Sequence, residues 1–217
     1  MLFSEFNKYT NFLAKRLKES KPGQNAHQLM SPKTEGQLFR KFEPSATAIP
    51  SAVLLLMSII DNKIKILLTL RAKSLSNHSG QISFPGGKVE LNESIEQAAL
   101  RETQEETGIA PPNIHIIGSL STLFVPPSDS IIHPVVAWIN FENIQLKENP
   151  AEVEEIFFVA IDDLFDENNK RIERWDFNGT KVDVPFWKVH HKEPLWGATA
   201  MILSEYLVIS KSYFDVK

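Results

Sequence analysis

The chain has 217 residues, 42% hydrophobic and 23% charged, which is enough for one domain with a full core and ordinary for a soluble globular fold. A formal net charge of −4 excludes a basic field for nucleic-acid backbones, and the absence of cysteine excludes disulfides, zinc–thiolate sites and thiol nucleophiles. No apolar run approaches the ~20 residues that span a bilayer. Glu5, Lys8 and Lys15 interrupt the N-terminus too early for a secretory signal, so cytoplasmic residence is expected.

Residues 1–44 read as a helix and linker arm ahead of a domain over 45–217. Phe6, Tyr9, Leu13 and Leu17 recur at helical spacing, and such a stripe must pack on the domain or on a second subunit, which would make a homodimer. Lys21 to Pro44, with Pro22, Gly23 and Pro32, reads as linker or surface arm. Ala52 to Ile60 predicts a buried strand, Asp61-Asn62-Lys63 a turn, and Ile64 to Arg71 a second strand of the same hairpin. A loop over Ala72 to Gly80 leads into a short strand, Gln81 to Phe84, and then Pro85-Gly86-Gly87. Two glycines there let the backbone bend and aim its polar groups at a ligand without a Cβ in the way. A helix follows, with Asn92 as N-cap, Glu93 in its first turn, and Ile95, Ala98 and Ala99 toward the core; Gly108, Pro111 and Pro112 end it. Strand candidates come next at Ile114 to Val125, Ile131 to Asn140 and Val153 to Val159. Short strand-like pieces and turns fill Arg171 to His191, and a closing helix spans Trp196 to Ile209. The expected fold class is α/β, a mixed sheet with helices on both sides.

One stretch of that first domain helix breaks local rules. Glu102, Glu105 and Glu106 fall at i, i+3 and i+4, within roughly 100° of one helix face, where like charges repel by a few tenths of a kcal/mol. They also sit near the helix C-terminus, the wrong end of the macrodipole for anions. A clustered set of hard oxygen ligands at such a place suits a hard divalent cation, Mg²⁺ or Mn²⁺.

Gly87, Glu93, Arg101-Glu102, Glu105-Glu106 and Gly108, with apolar Ile109, stand at the spacing of the Nudix box, and this stretch resembles that motif at all seven of its fixed letters. Chance would supply such a match on the order of once in a million sequences. Thr103 departs from the pattern's aliphatic preference at a packing position. The resemblance implies a Nudix-type α/β/α sandwich and hydrolysis of a nucleoside diphosphate linked to another group. It also implies metal ligation by Glu102, Glu105 and Glu106, with the Gly86 carbonyl as a further ligand. Glu93 and Arg101 would then brace the glutamates rather than touch substrate. A base from outside the helix is expected: Glu152 is the choice, with Glu90 as its competitor, and strand alternation sets Glu152 and Glu154 on one face and Glu155 on the other.

Upstream, Leu67-Leu68-Thr69-Leu70-Arg71-Ala72 and Gly80-Gln81-Ile82-Ser83-Phe84-Pro85-Gly86-Gly87 resemble the segment preceding the box in coenzyme A pyrophosphatases of the same superfamily. So do Glu152 to Phe157 and Trp196-Gly197-Ala198-Thr199-Ala200. This second resemblance implies a small-molecule nucleotide substrate, coenzyme A or its thioesters, split into 3′,5′-ADP and 4′-phosphopantetheine or its acylated form. Ser76 stands where that pattern usually carries arginine. Arg71, Lys73 and His78 remain as substrate-binding candidates, with His78 also readable as a plain loop residue. His133, His190 and His191 show no ligand spacing and read as structural. A nucleoside diphosphate derivative other than coenzyme A is the alternative substrate. A non-catalytic regulator on the same fold would be expected to lose box carboxylates, and all are present.

Overall fold

Leu54-Leu55-Leu56-Met57 is an unbroken apolar run in which no residue is more than 1% exposed, as a strand buried on both faces requires. In the computed structural model, which describes residues 3–34, 43–74, 79–142 and 144–215, this run is the middle of the central strand. Among those residues the helices are α1 (Phe3–Arg16), α2 (Gln24–His27), α3 (Ile95–Thr107), α4 (Ile161–Phe165) and α5 (Gly197–Phe214). The strands are β1 (Lys33–Thr34), β2 (Ile49–Ile60), β3 (Lys63–Arg71), β4 (Ile82–Ser83), β5 (Gly86–Lys88), β6 (Ile114–Ser119), β7 (Leu123–Val125), β8 (Ser130–Ile139), β9 (Val153–Ala160), β10 (Lys170–Phe177) and β11 (Thr180–Trp187). Ser76 and His78 lie outside the described residues, as does part of the expected linker.

The main sheet runs β4-β3-β2-β8-β6, with β5 added to β2, β7 to β8 and β9 to β3. β2 and β8 pair in parallel while the other pairings in this sheet are antiparallel, so the sheet is mixed as expected. Alternation along β2 sorts its side chains between two cores. Ala52, Leu54 and Leu56 meet Ala98 and Ala99 of α3 on one face; Leu55 and Met57 meet α1 and α5 residues on the other. The β2–β3 hairpin closes through Asp61 and Asn62, both at positive φ, 53° and 61°, the twist that suits a two-residue turn.

Four expectations are corrected. The single strand over Ile114 to Val125 is two, β6 and β7, interrupted opposite Pro134, which brings no N–H to the ladder of β8. The region from Arg171 to His191 contains a continuous hairpin, β10–β11, paired over eight positions and closed by Asn178-Gly179 at positive φ. The N-cap of α3 is Ser94, not Asn92, and Glu93 precedes the helix. Ser94 and Gln97 form a reciprocal capping box, a signal written in Ser94-Ile95-Glu96-Gln97. The closing helix extends past Ile209 to Phe214.

The stripe of α1 is consumed within the chain. Phe6, Tyr9 and Leu13 are at most 1% exposed and share a core with Tyr206 and Leu203 of α5. The Tyr9 hydroxyl bonds the Tyr206 hydroxyl at 2.6 Å and Ser210 Oγ at 2.7 Å. The face expected to pack on the domain or on a second subunit is covered by the domain itself. No helix among the described residues is long and apolar enough to cross a membrane.

Candidate active site

The site begins with the glycine turn. A Cβ on Gly86 would fall well inside contact with the Ala52 carbonyl and Val53 Cα, because β5 lies directly on β2 there. A Cβ on Gly87 would strike the Glu102 carboxylate. Glycine at these two positions lets α3 lie close enough for Glu102 to rest on the turn.

The C-terminal end of α3 is held by Gly108, at φ 75°, whose N–H donates to the Gln104 carbonyl. Two further carbonyls of that last turn accept bonds from the loop ahead of β9: Lys147 N–H to Thr107 O at 2.9 Å and Asn149 N–H to Glu106 O at 3.4 Å. The loop then turns at Asn149, whose carbonyl accepts from Glu152 N–H and Val153 N–H, and Ala72 N–H donates to the Glu152 carbonyl at 2.9 Å. These bonds carry Glu152, 46 positions downstream of Glu106, to the same spot. Carboxylate oxygens of Glu102, Glu106 and Glu152 lie within 4.8 Å of one another.

Glu106 is 1% exposed, and its Oε2 is buried with no hydrogen-bond partner. Desolvation pushes its pKa up to about 8; Glu102 and Glu152 add to the rise, while Arg71 and the Gly86 backbone oppose it. Glu102 is also raised, chiefly by desolvation, against the bond from Arg101. Three acidic groups crowded in a dry place, one with an orphaned oxygen, fit a hard divalent cation. Glu105 stands apart, half exposed, with Oε2 3.1 Å from Arg101 Nη1.

Arg101 binds this arrangement together. Its Nε and Nη2 donate to the two oxygens of Glu93 at 2.8 and 3.0 Å, Nη1 donates to Glu102 Oε1 at 2.9 Å, and Nη2 also reaches the Lys88 carbonyl. Glu93 in turn accepts from Glu90 N–H, and the Arg101 bond leaves its carboxyl below the usual range. Glu90 is exposed and meets this brace only through its backbone. Arg101→Lys should therefore lower metal affinity or kcat about 10- to 100-fold, since a point ammonium cannot bridge Glu93 and Glu102 together. Metal titration and steady-state rates of the variant check this.

Arg71, expected as a substrate ligand, ends β3 with Nη1 3.7 Å from Glu106 Oε1. Lys73 is exposed two residues further on. Thr103 is fully buried and donates to the Ala99 carbonyl at 2.7 Å, a packing role despite its hydroxyl. Glu155 leaves the cluster for His190 Nε2 at 3.4 Å, and His191 joins that second convergence. His190 Nδ1 accepts from the backbone N–H of Lys192 and Glu193, so its Nε2 carries the proton and faces Glu155 as a donor. That leaves His190 no lone pair for an ion. His133 sits on β8 opposite Ala52, and its pKa is lowered by burial.

Fold and site together define a hydrolase of phosphorus-containing anhydrides. The chain belongs to the NUDIX domain family, whose profile residues 50–178 match. It is 29% identical over 172 residues to Nudix hydrolase 3 of Caenorhabditis elegans, covering 73% of this chain and 72% of the relative. It is 32% identical over 156 residues to the mitochondrial coenzyme A diphosphatase NUDT8 of Mus musculus, covering 70% and 73%. It spans 58% and 54% of the length of two plant relatives. Among solved structures, the Nudix hydrolase RenU of M. smegmatis superposes with a TM-score of 0.51 over 78% of this chain and 88% of that one, at 17% identity, a likeness of fold alone.

Proposed function

We propose that the protein is a divalent-metal-dependent pyrophosphatase acting on coenzyme A or its thioesters, releasing 3′,5′-ADP and (acyl-)4′-phosphopantetheine. The observation that carries the hydrolytic half is the convergence of Glu102, Glu106 and Glu152, with Glu106 Oε2 buried and unpartnered. These three would hold Mg²⁺ or Mn²⁺, with Glu105 at the rim and the Gly86 carbonyl as an additional ligand. Bound there, the cation would neutralise charge developing on the pyrophosphate and lower the pKa of the attacking water. Arg101 keeps Glu102 oriented through its fork on Glu93. Glu152, the one of the three borne on a loop rather than on α3, is the group to accept the water's proton.

The coenzyme A half is supported by the segment from Leu67 to Gly87 and by the similarity to the mouse diphosphatase. Ser76, in place of the pattern's arginine, favours a second reading: another nucleoside diphosphate derivative, such as ADP-ribose or a dinucleotide. The mouse relative is named as mitochondrial, which differs from the cytoplasmic residence expected from sequence. A substrate panel with Mg²⁺ or Mn²⁺, with and without chelator, decides between substrates. Metal-dependent appearance of 3′,5′-ADP from coenzyme A is expected; turnover of ADP-ribose or dinucleotides with coenzyme A untouched would establish the second reading.

A further inference from the structure

We propose that Arg71 is the resident counter-cation of the carboxylate cluster, displaced when a divalent cation loads, and that its freed guanidinium then takes the anionic substrate. This rests on the reading of Glu102, Glu106 and Glu152 as a metal site. Among the described residues, the buried side-chain polar atoms without a hydrogen-bond partner are two: Arg71 Nε and Glu106 Oε2. They belong to the two ends of one ion pair, and that pair is long, 3.7 Å, where charge-assisted bonds run about 2.7–2.9 Å. Arginines elsewhere in the chain do better. Arg101 forks onto Glu93 at 2.8 and 3.0 Å, and Arg174 onto Asp183 at 2.8 and 3.0 Å. An arginine placed only to bind Glu106 would be expected to fork in the same way; Arg71 is held near the carboxylates for its charge without being bonded to them.

The backbone cannot follow the side chain. Arg71 N–H donates to the Gln81 carbonyl at 3.0 Å, its own carbonyl accepts from Gly80 N–H at 3.1 Å, and it pairs across the ladder with Val153. The side chain is 24% exposed although its Nε is buried, so part of it already reaches solvent. Three carboxylates need positive charge. With a dication among them, two of those three charges are balanced and the ion itself repels the guanidinium beside Glu106. Arg101 is already engaged by Glu93, Glu102 and Glu105, which leaves Arg71 as the guanidinium at this cluster able to turn its planar donors to phosphate oxygens.

The test is Mn²⁺ affinity, read by electron paramagnetic resonance at pH 8.5, for wild type, Arg71→Met, Arg71→Lys and Glu106→Gln. Arg71→Met is expected to bind Mn²⁺ at least tenfold tighter than wild type, and Arg71→Lys to stay near wild type because it keeps the charge. Yet Arg71→Met should raise KM at least tenfold for the substrate turned over, coenzyme A or ADP-ribose. A residue that merely stabilised the site would weaken metal and substrate together. Equal or weaker Mn²⁺ binding by folded Arg71→Met overturns the displacement, and an unchanged KM overturns the substrate contact. If that variant does not fold, the ¹⁵N signal of Arg71 Nε–H in wild type, identified by its absence from Arg71→Lys, must shift on Mg²⁺ addition. A stationary signal overturns the proposal. Wild type that binds no Mn²⁺, or binds it equally as Glu106→Gln, removes the metal reading and this inference with it. Mn²⁺ lost only in Glu106→Gln, with no gain in Arg71→Met, removes this inference alone.

Discussion

Glu106→Gln is expected to reduce turnover on the order of 10³-fold or more and to leave the fold intact. The amide keeps the volume and one acceptor but cannot supply the charge that a bound cation requires. The same substitution should change how the metal-free protein responds to pH. Burial and the neighbouring carboxylates push Glu106 up to about 8, so between the ordinary carboxylate range and pH 8 the folded state holds a proton that the unfolded state has released. Its contribution to stability is then full at low pH and is lost as pH rises toward 8, at up to about 1.4 kcal/mol per pH unit. Glutamine has no such proton. In chelator, urea denaturation from pH 5 to 8.5 should show the variant gaining on wild type as pH rises; parallel profiles would count against the buried acid. If Glu106 holds the cation as proposed, loading has to displace that proton, and activity at limiting metal should rise with pH through the same interval. Full activity in Glu106→Gln would remove Glu106 from the metal site.

Glu205→Ala should be the most damaging single change away from the cluster, destabilising by about 3–5 kcal/mol. Glu205 is fully buried in α5 and every oxygen is used. Oε1 accepts from Gly23 N–H at 2.9 Å and from Ser121 Oγ; Oε2 accepts from Ser121 N–H at 3.0 Å and faces His27 Nε2 at 3.2 Å. Removing the carboxylate strands those donors in a dry interior. It also severs the tie between α5 and the segment after α1, so hydrogen exchange in residues 3–30 should rise along with the loss of global stability. The pH dependence has the opposite sign to that of Glu106. Desolvation pushes Glu205 up, but the bonds from His27, Ser121 and Gly23 outweigh it and leave its pKa below the ordinary value. Its contribution is present above the normal carboxylate range and is lost as pH falls through the lowered value. Wild type, but not Glu205→Ala, should show that acid-side loss in thermal melts below pH 4.5.

Much of the site could be read from residue order because its parts obey short-range rules. The box spacing lies within one helix and the turn before it, and Gly86 and Gly87 are required where backbone and side chains touch. The hairpin of β2 and β3 was legible from two apolar runs around Asp61-Asn62. Glu152 could be chosen by residue type and by its place ahead of an apolar strand; its arrival beside Glu106 depends on Asn149 and Lys147 capping the end of α3. The β10–β11 hairpin escapes a periodicity reading although Asn178-Gly179 announces such a turn, because β10 is largely exposed and the buried part of β11, Val184 to Trp187, is an unbroken run, so neither strand shows a clean apolar alternation.

Sequence by itself determined the sheet and helix periodicities, the mixed α/β class and the acidic face of α3, since each is encoded in a window of a few to a dozen residues. Tertiary structure alone decided three things. It put the α1 stripe against α5 instead of a second chain, fixed Glu205 as the anchor of the N-terminal segment, and set Arg71 against Glu106. Each depends on groups 35 to about 200 positions apart meeting in a dry interior: apolar surface to be covered in the first case, charges that are costly unpaired in the other two, and no local pattern records which distant partner will be there.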